Sequence, residues 1–181
     1  MLNDQFKIKN LGNLSYFLGF EVTRSKEGIL PSQQKYALDL LIKTRMLDAA
    51  PVNTPMNFST KISSEGDPLE DPVALRCLIG RLIYLTNTHP DITYVVHRLS
   101  QYVAAPTELH HQATFIILRY IKQTPGQGIL LTATNNLTLQ AYNDSNWARC
   151  STSRKSTTGY IAYLGNSPNL LEIQKAINSL M

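Results

Sequence analysis

Between Leu75 and Lys122 the apolar positions fall into three sets spaced by three and four residues. Leu75, Leu78, Leu82 and Leu85 form the first set, and Ile92, Val95, Val96, Leu99 and Tyr102 the second. Leu109, Ala113, Ile116, Ile117 and Tyr120 form the third. This spacing lays each set along one face of an α-helix. The breaks carry their own signals. Thr88-His89-Pro90-Asp91 places a proline where a helix can begin without losing a hydrogen bond. Pro106-Thr107 restarts the chain with a capping hydroxyl, and Thr124-Pro125-Gly126 ends the third set. No one of these helices can bury its apolar face alone, so the three are predicted to pack together as a scaffold.

The flanking stretches read differently. Residues 1–34 predict short strands: Leu14 to Val22 is rich in aromatic and branched residues, Lys26-Glu27-Gly28 supplies a turn, and Ile29-Leu30 begins the return. Pro31 removes a backbone donor there and limits pairing. Tyr36 to Leu47 predicts another amphipathic helix, with Leu38, Leu41 and Leu47 turned inward. Pro51 to Pro72 is an acidic, proline-rich loop carrying Glu65, Asp67, Glu70 and Asp71. From Pro125 the period changes to two. Ile129–Leu131 and Leu137–Tyr142 read as strands around an Asn135-Asn136 turn, and Gly159–Leu164 as another. Leu170 to Met181 has a short helical pattern. The fold class expected is α+β: an N-terminal β-hairpin, a central bundle of amphipathic helices and a C-terminal antiparallel sheet.

Composition narrows the function classes. In 181 residues, 43% hydrophobic and 17% charged, there is enough apolar surface for a core and too little charge for a disordered chain. No apolar run approaches the length of a membrane span, and Asp4, Lys7 and Lys9 exclude a signal-peptide core near Met1. Cys77 and Cys150 are too few for a disulfide framework and are expected to be reduced. An intracellular protein is expected, cytoplasmic or nuclear, with no membrane partner. Net charge is +4, and residues 72–171 hold eight Lys or Arg against three acids. That bias suits a polyanion, with Arg81, Arg98, Arg119, Lys122, Arg154 and Lys155 as candidate phosphate contacts; an ordinary solvated surface is the alternative. His89, His97, His110 and His111 lack zinc-ligand spacing with either cysteine. No G-x-S-x-G elbow and no glycine-rich phosphate loop is present. Trp147 reads as a packing residue.

Several blocks resemble one family. Ile79-Gly80-Arg81-Leu82-Ile83-Tyr84-Leu85-Thr86-Asn87-Thr88-His89-Pro90-Asp91-Ile92 is similar to the G-x-L-x-Y-L-x-x-T-R-P-D-I run of copia-type retrotransposon polyproteins, with His89 in place of arginine. Ile117 to Gly126 resembles that family's next block. Leu11 to Val22 resembles its primer-grip hairpin, which implies that Tyr16, Phe17, Leu18 and Gly19 are primer-grip-like. Tyr142-Asn143-Asp144-Ser145-Asn146-Trp147-Ala148, followed by Arg154 to Tyr160, resembles the opening of its ribonuclease H domain. With gaps, the resemblance runs from Phe6 to Gly165.

The resemblance implies three regions: the end of the palm with the primer grip (1–34), a helical thumb and connection (35–124, containing the acidic loop 51–72), and the start of ribonuclease H (125–181). It also implies that Asp144 is the first ligand of a two-magnesium nuclease. Two ions need several converging carboxylates to activate water and stabilise the leaving oxygen. Asp144 is alone, Asn146 replaces the motif's second acid, and Glu172, 28 residues beyond Asp144, comes too soon to be the family's glutamate. The third strand, the glutamate-bearing helix and the later aspartates are expected to be absent, and the polymerase aspartates of the family lie upstream. The expectation is therefore a catalytically inactive fragment that retains no magnesium cofactor and keeps weak, non-specific binding to an RNA–DNA hybrid or duplex. The alternatives are a domesticated interaction module, with a protein partner or self-association through exposed strand edges, and a decayed gene product without function.

Overall fold

The structure, a computed structural model, describes residues 12–56, 62–133, 136, 138–146 and 156–176. They form four helices and two antiparallel sheets. In chain order the elements are β1 (Tyr16–Phe17), β2 (Phe20–Arg24), β3 (Gly28–Ser32), α1 (Gln34–Lys43), α2 (Pro72–Leu85), α3 (Thr93–Ser100), α4 (Glu108–Ile121), β4 (Leu131–Thr132), β5 (Leu139–Asn146), β6 (Ser156–Leu164) and β7 (Ser167–Ala176).

The helices begin where local chemistry allows. Asp71 accepts from the backbone N–H groups of Val73 and Ala74 at 3.1 and 3.0 Å, and Pro72 fills the first helical position of α2. A 3₁₀ turn, Pro90–Ile92, leads into α3. At the start of α4 a histidine does the work usually given to glutamate: the Thr107 N–H donates to His110 Nδ1 at 2.9 Å. The apolar faces then meet in one core. It contains Ala37, Leu40 and Leu41 of α1, Leu75, Ile79, Leu82 and Leu85 of α2, Ile92, Val95, Val96 and Leu99 around α3, and Ala113, Ile117, Leu118 and Ile121 of α4. Burying each large aliphatic side chain contributes about 1.5–3 kcal/mol.

The first sheet has the order β1-β2-β3-β4, the second β5-β6-β7. Pro31 does not end β3, which pairs with β2 through Glu21↔Ser32 to Arg24↔Ile29 and with β4 through Gly28↔Thr132 and Ile29↔Leu131. Strands before residue 34 and after residue 125 therefore share a sheet. Gly28 makes that approach possible: at φ 155°, a Cβ there would lie 2.0 Å from the Leu131 carbonyl oxygen. The two sheets are linked where Thr132 N–H donates to Ser167 Oγ at 2.9 Å.

Five expectations are corrected. The helical pattern expected from Leu170 is strand β7 up to Ala176, because β6 offers a long ladder, Ser156↔Ala176 to Leu164↔Ser167 with one register shift at Ala162/Tyr163, that outweighs a weak local helical period. Residues 177–181 lie outside the described residues. By the same observation a third strand is present in the C-terminal sheet. Leu130-Leu131 does not join β5 across a turn; β4 pairs with β3 instead, and Asn135 lies outside the described residues. The helix expected over Tyr36–Leu47 ends at Lys43, with Arg45 at positive φ, so Leu47 is 42% exposed and Met46 takes its place in the core. Within α4, Leu109 is exposed while His110 is buried, a one-residue rotation imposed by the capping contact.

Hydrogen exchange should divide the chain sharply. Amides in α2, α3 and α4 are expected to exchange far more slowly than those of β5, whose described side chains are all exposed. Leu118→Ala, at a fully buried position, should lower stability by about 2–5 kcal/mol in chemical denaturation.

Candidate nucleic-acid interface

The β1–β2 hairpin turns in two residues, Leu18 at φ 48° and Gly19 at φ 80°. Positive φ at both central positions is the turn geometry that matches strand twist, and leucine adopts it at a cost. Tertiary contact holds it there. The hydroxyl of Tyr84, on α2, donates to the Leu18 carbonyl, and its ring stacks edge-on with Phe20 and Tyr36 at centroid distances of 6.1 and 5.0 Å. A Cβ on Gly19 would lie 2.7 Å from the Tyr84 hydroxyl oxygen, so both the backbone angle and the contact require glycine. Tyr36 in turn donates to the Arg81 carbonyl at 3.3 Å, and the Lys35 N–H donates to Glu21 at 3.1 Å. Burial raises the Tyr36 pKa, with the Arg81 charge acting in the opposite direction. The hairpin is thus fixed to the helices by its turn and by Phe20 and Glu21 of β2, while Tyr16 and Phe17 are each 56% exposed and the Leu18 side chain 70%. Tyr84 belongs to the Ile79–Ile92 run, whose family resemblance did not mark it as the hairpin's anchor.

The described candidate cations, Arg81, Arg98, Arg119 and Lys122, make separate contacts. Arg81 is exposed on α2 beside Lys43, Tyr36 and Asp39. Arg98 donates to the Ile62 carbonyl at 3.4 Å, where Tyr102 also donates. Arg119 donates to the Ala50 carbonyl and Lys122 to the Ala49 carbonyl, both at 2.6 Å. These three side chains hold the loop between α1 and α2 onto α3 and α4. Arg76, absent from the candidate set, similarly reaches the carbonyls of Val103 and Ala104. Arg154, Lys155 and Trp147 lie outside the described residues.

Asp144 sits near the end of β5, opposite Gly159, with an exposed side chain. Glu172 is on β7 opposite Tyr160, a strand further away. Among the described residues no group of three or more His, Cys, Asp or Glu could hold a metal ion. Among the described residues, Asp144 has fewer carboxylate neighbours than a two-magnesium centre needs.

One buried polar cluster lies beneath this surface. Thr88 Oγ1 is 2.9 Å from the side-chain amide of Gln33 and 3.0 Å from His89 Nδ1, and His89 Nε2 is 3.3 Å from the Thr124 carbonyl. Gln33, Thr88 and His89 are fully buried. A carbonyl only accepts, so in the neutral ring Nε2 carries the proton and Nδ1 accepts from Thr88. The Thr88 hydroxyl then needs a donor, and Gln33 supplies one by turning its amide NH₂ toward it; the opposite orientation buries that NH₂ without a partner. Burial lowers the His89 pKa despite the raising effects of the Thr124 carbonyl and Asp91. Burial also lowers that of His110. Nearby, Asp91 accepts from Tyr120 and from Gln127, and the Asp91 hydrogen bond helps push the Tyr120 pKa up to about 12.

Comparison with known proteins places these features in a lineage. The chain is 48% identical over 168 residues to the retrovirus-related Pol polyprotein from transposon RE1 of Arabidopsis thaliana, and 46% identical over 168 residues to that from transposon RE2. Each match covers 92% of this chain and 12% of the polyprotein. It is 37% identical over 164 residues to an uncharacterised mitochondrial protein of the same plant, AtMg00810, covering 91% of this chain and 68% of that one. The chain belongs to the Pol polyproteins of copia-type retrotransposons. It spans about an eighth of the length of the RE1 and RE2 polyproteins. No protein-family model matches it, and no solved structure does. No helix among the described residues of this Pol segment is long and apolar enough to cross a membrane.

Two pH dependences follow. Both histidines have native pKa values below the ordinary ~6.5, so their contribution is present above that pH and is lost as pH falls below it, when the unfolded chain takes up protons first. His89→Gln should flatten that acid limb in denaturant melts. The raised Tyr120 pKa acts oppositely: its contribution is full below the ordinary ~10 and is lost as pH rises toward about 12. Tyr120→Phe should remove that alkaline loss.

Proposed function

We propose that this Pol segment is a non-catalytic piece comprising the primer-grip hairpin, the thumb and connection helices and the start of ribonuclease H, and that it holds an RNA–DNA hybrid or duplex weakly and without sequence preference. The observation that carries the reading is the hairpin. Its turn is fixed to α2 through Tyr84 while the side chains of Tyr16, Phe17 and Leu18 are exposed. A rigid apolar tip of this kind can press against the sugars and bases at a strand end, and neighbouring cations supply the phosphate attraction. Arg81 is the described candidate with the most freedom to do so, since Arg98, Arg119 and Lys122 already spend one donor each on loop carbonyls. Those contacts favour a second reading, in which the helices are a protein-binding scaffold and the cations serve the fold.

Fluorescence anisotropy with a labelled hybrid separates the two. If about three phosphates are neutralised, log K should fall against log salt with a slope near −3. Arg81→Glu should weaken binding and make that slope shallower, and Phe17→Ala should weaken it while leaving the slope unchanged. Binding indifferent to salt would favour the scaffold. With magnesium or manganese the hybrid should remain uncut; cleavage that disappears in Asp144→Asn would show that Asp144 has found the ligands it lacks among the described residues.

A further inference from the structure

The end of α1, the first half of α2 and the start of α4 enclose a cavity of about 560 Å³. Its described lining residues all lie between Lys43 and Phe115 in the chain, so the packing of these helices sets its shape. On the α2 side it is lined by two short side chains, Ala74 and Cys77. Leu69, Leu75, Leu78 and Phe115 form apolar walls around them, and each of these four also packs in or against the core. A cavity of this size suits one small organic molecule, for which roughly 300–1,000 Å³ is usual. The polar groups on its walls are unequal. Asp71 spends Oδ1 on the N–H groups of Val73 and Ala74, and His111 Nδ1 lies 3.2 Å from Glu108. Thr44 donates its hydroxyl to the Leu40 carbonyl at 2.9 Å. Lys43 and Arg81 are left over. Among the described residues neither side chain makes an ion pair or a hydrogen bond. That sets them apart from Arg76, Arg98, Arg119 and Lys122, each of which donates to a backbone carbonyl. Both also line a smaller recess of about 100 Å³, together with Tyr36, Leu40 and Asp39, and Asp39 lines only that recess. The two cations therefore stand where the apolar cavity meets a polar one.

We propose that this cavity takes one small carboxylic acid, free in solution, with its apolar body against Leu69, Leu78 and Phe115 and its carboxylate at Lys43 and Arg81. The carboxylate supplies the counter-charge that both cations lack, and a guanidinium can hold it through two parallel hydrogen bonds. The apolar body supplies the contacts that Ala74 and Cys77 are too short to make across the cavity. Head-group charge sets the selectivity. A cationic amphiphile meets Lys43 and Arg81 as like charges, and a neutral one leaves both unpaired. This site does not depend on the chain's binding nucleic acid.

Isothermal titration calorimetry on the full chain with decanoate, kept below its micelle concentration, tests this. One equivalent should bind. Across octanoate, decanoate and dodecanoate each added methylene should tighten binding about fourfold. Decanol and decyltrimethylammonium should bind at least about tenfold more weakly than decanoate. Lys43→Met and Arg81→Met should each weaken decanoate about tenfold and leave decanol unchanged. Ala74→Trp fills the cavity and should abolish binding of both. Cys77 gives a readout in the unaltered chain: decanoate should slow its alkylation by iodoacetamide, followed by the mass of the Cys77 peptide, in proportion to occupancy. An absence of saturable decanoate binding overturns the proposal, and so do equal affinities for the three decyl head groups. Cys77 alkylation that saturating decanoate leaves unchanged overturns it as well, as does undiminished binding to an Ala74→Trp chain that keeps the wild-type circular dichroism.

Discussion

Three separated pieces of chain meet at the same buried polar cluster. Gln33 precedes α1, Thr88 and His89 follow α2, and Thr124 follows α4, and the contacts joining them lie within the protein interior. A buried polar group left without a partner costs about 1–3 kcal/mol, and a loosely packed bundle offers none. The cluster forms only when the start of α1 and the ends of α2 and α4 meet in register and the imidazole is neutral. Apolar packing brings the helices together; this cluster selects one arrangement among many of similar burial.

From that arrangement the surface features follow. With α2 held by its end, Tyr84 projects to a fixed height, and the hairpin turn settles against its hydroxyl despite the cost of positive φ at Leu18. The long loop between α1 and α2 is fastened at Ala49, Ala50 and Ile62 by cations from α3 and α4. Basic side chains that composition assigns to an external polyanion are thus partly engaged within the chain. Their hydrocarbon stems and one donor serve the fold, and only the remaining donors face outward. The balance between internal tethering and external attraction explains why phosphate binding of this chain is expected to be weak.

Much of this was legible in the amino-acid order. The three apolar sets, the cap at Thr107, the proline at position 90 and the stop at Thr124-Pro125-Gly126 are local signals, and each produced the element it predicts; the cap at Asp71 was read only as part of an acidic loop. The family was legible too, because its motifs are long and contiguous. Where local signals were weak, they misled. Leu170 onward has a faint helical period that β6 overrides with a long ladder, and Leu47 has an apolar side chain that the turn at Arg45 directs outward.

The sequence by itself therefore determined the three central helices, the breaks between them and their lineage, since a helix is closed by bonds between residues four apart and its ends by side chains one turn away. Only the tertiary structure decided the pairing of β4 with β3, the strand at β7, the anchoring of Leu18 by Tyr84 and the meeting of Gln33, Thr88, His89 and Thr124. Each of these joins residues far apart in the chain. Their partners are chosen by which surfaces and unpaired backbone groups the folded helices and strands leave adjacent, and that choice leaves no periodic trace in the order of residues.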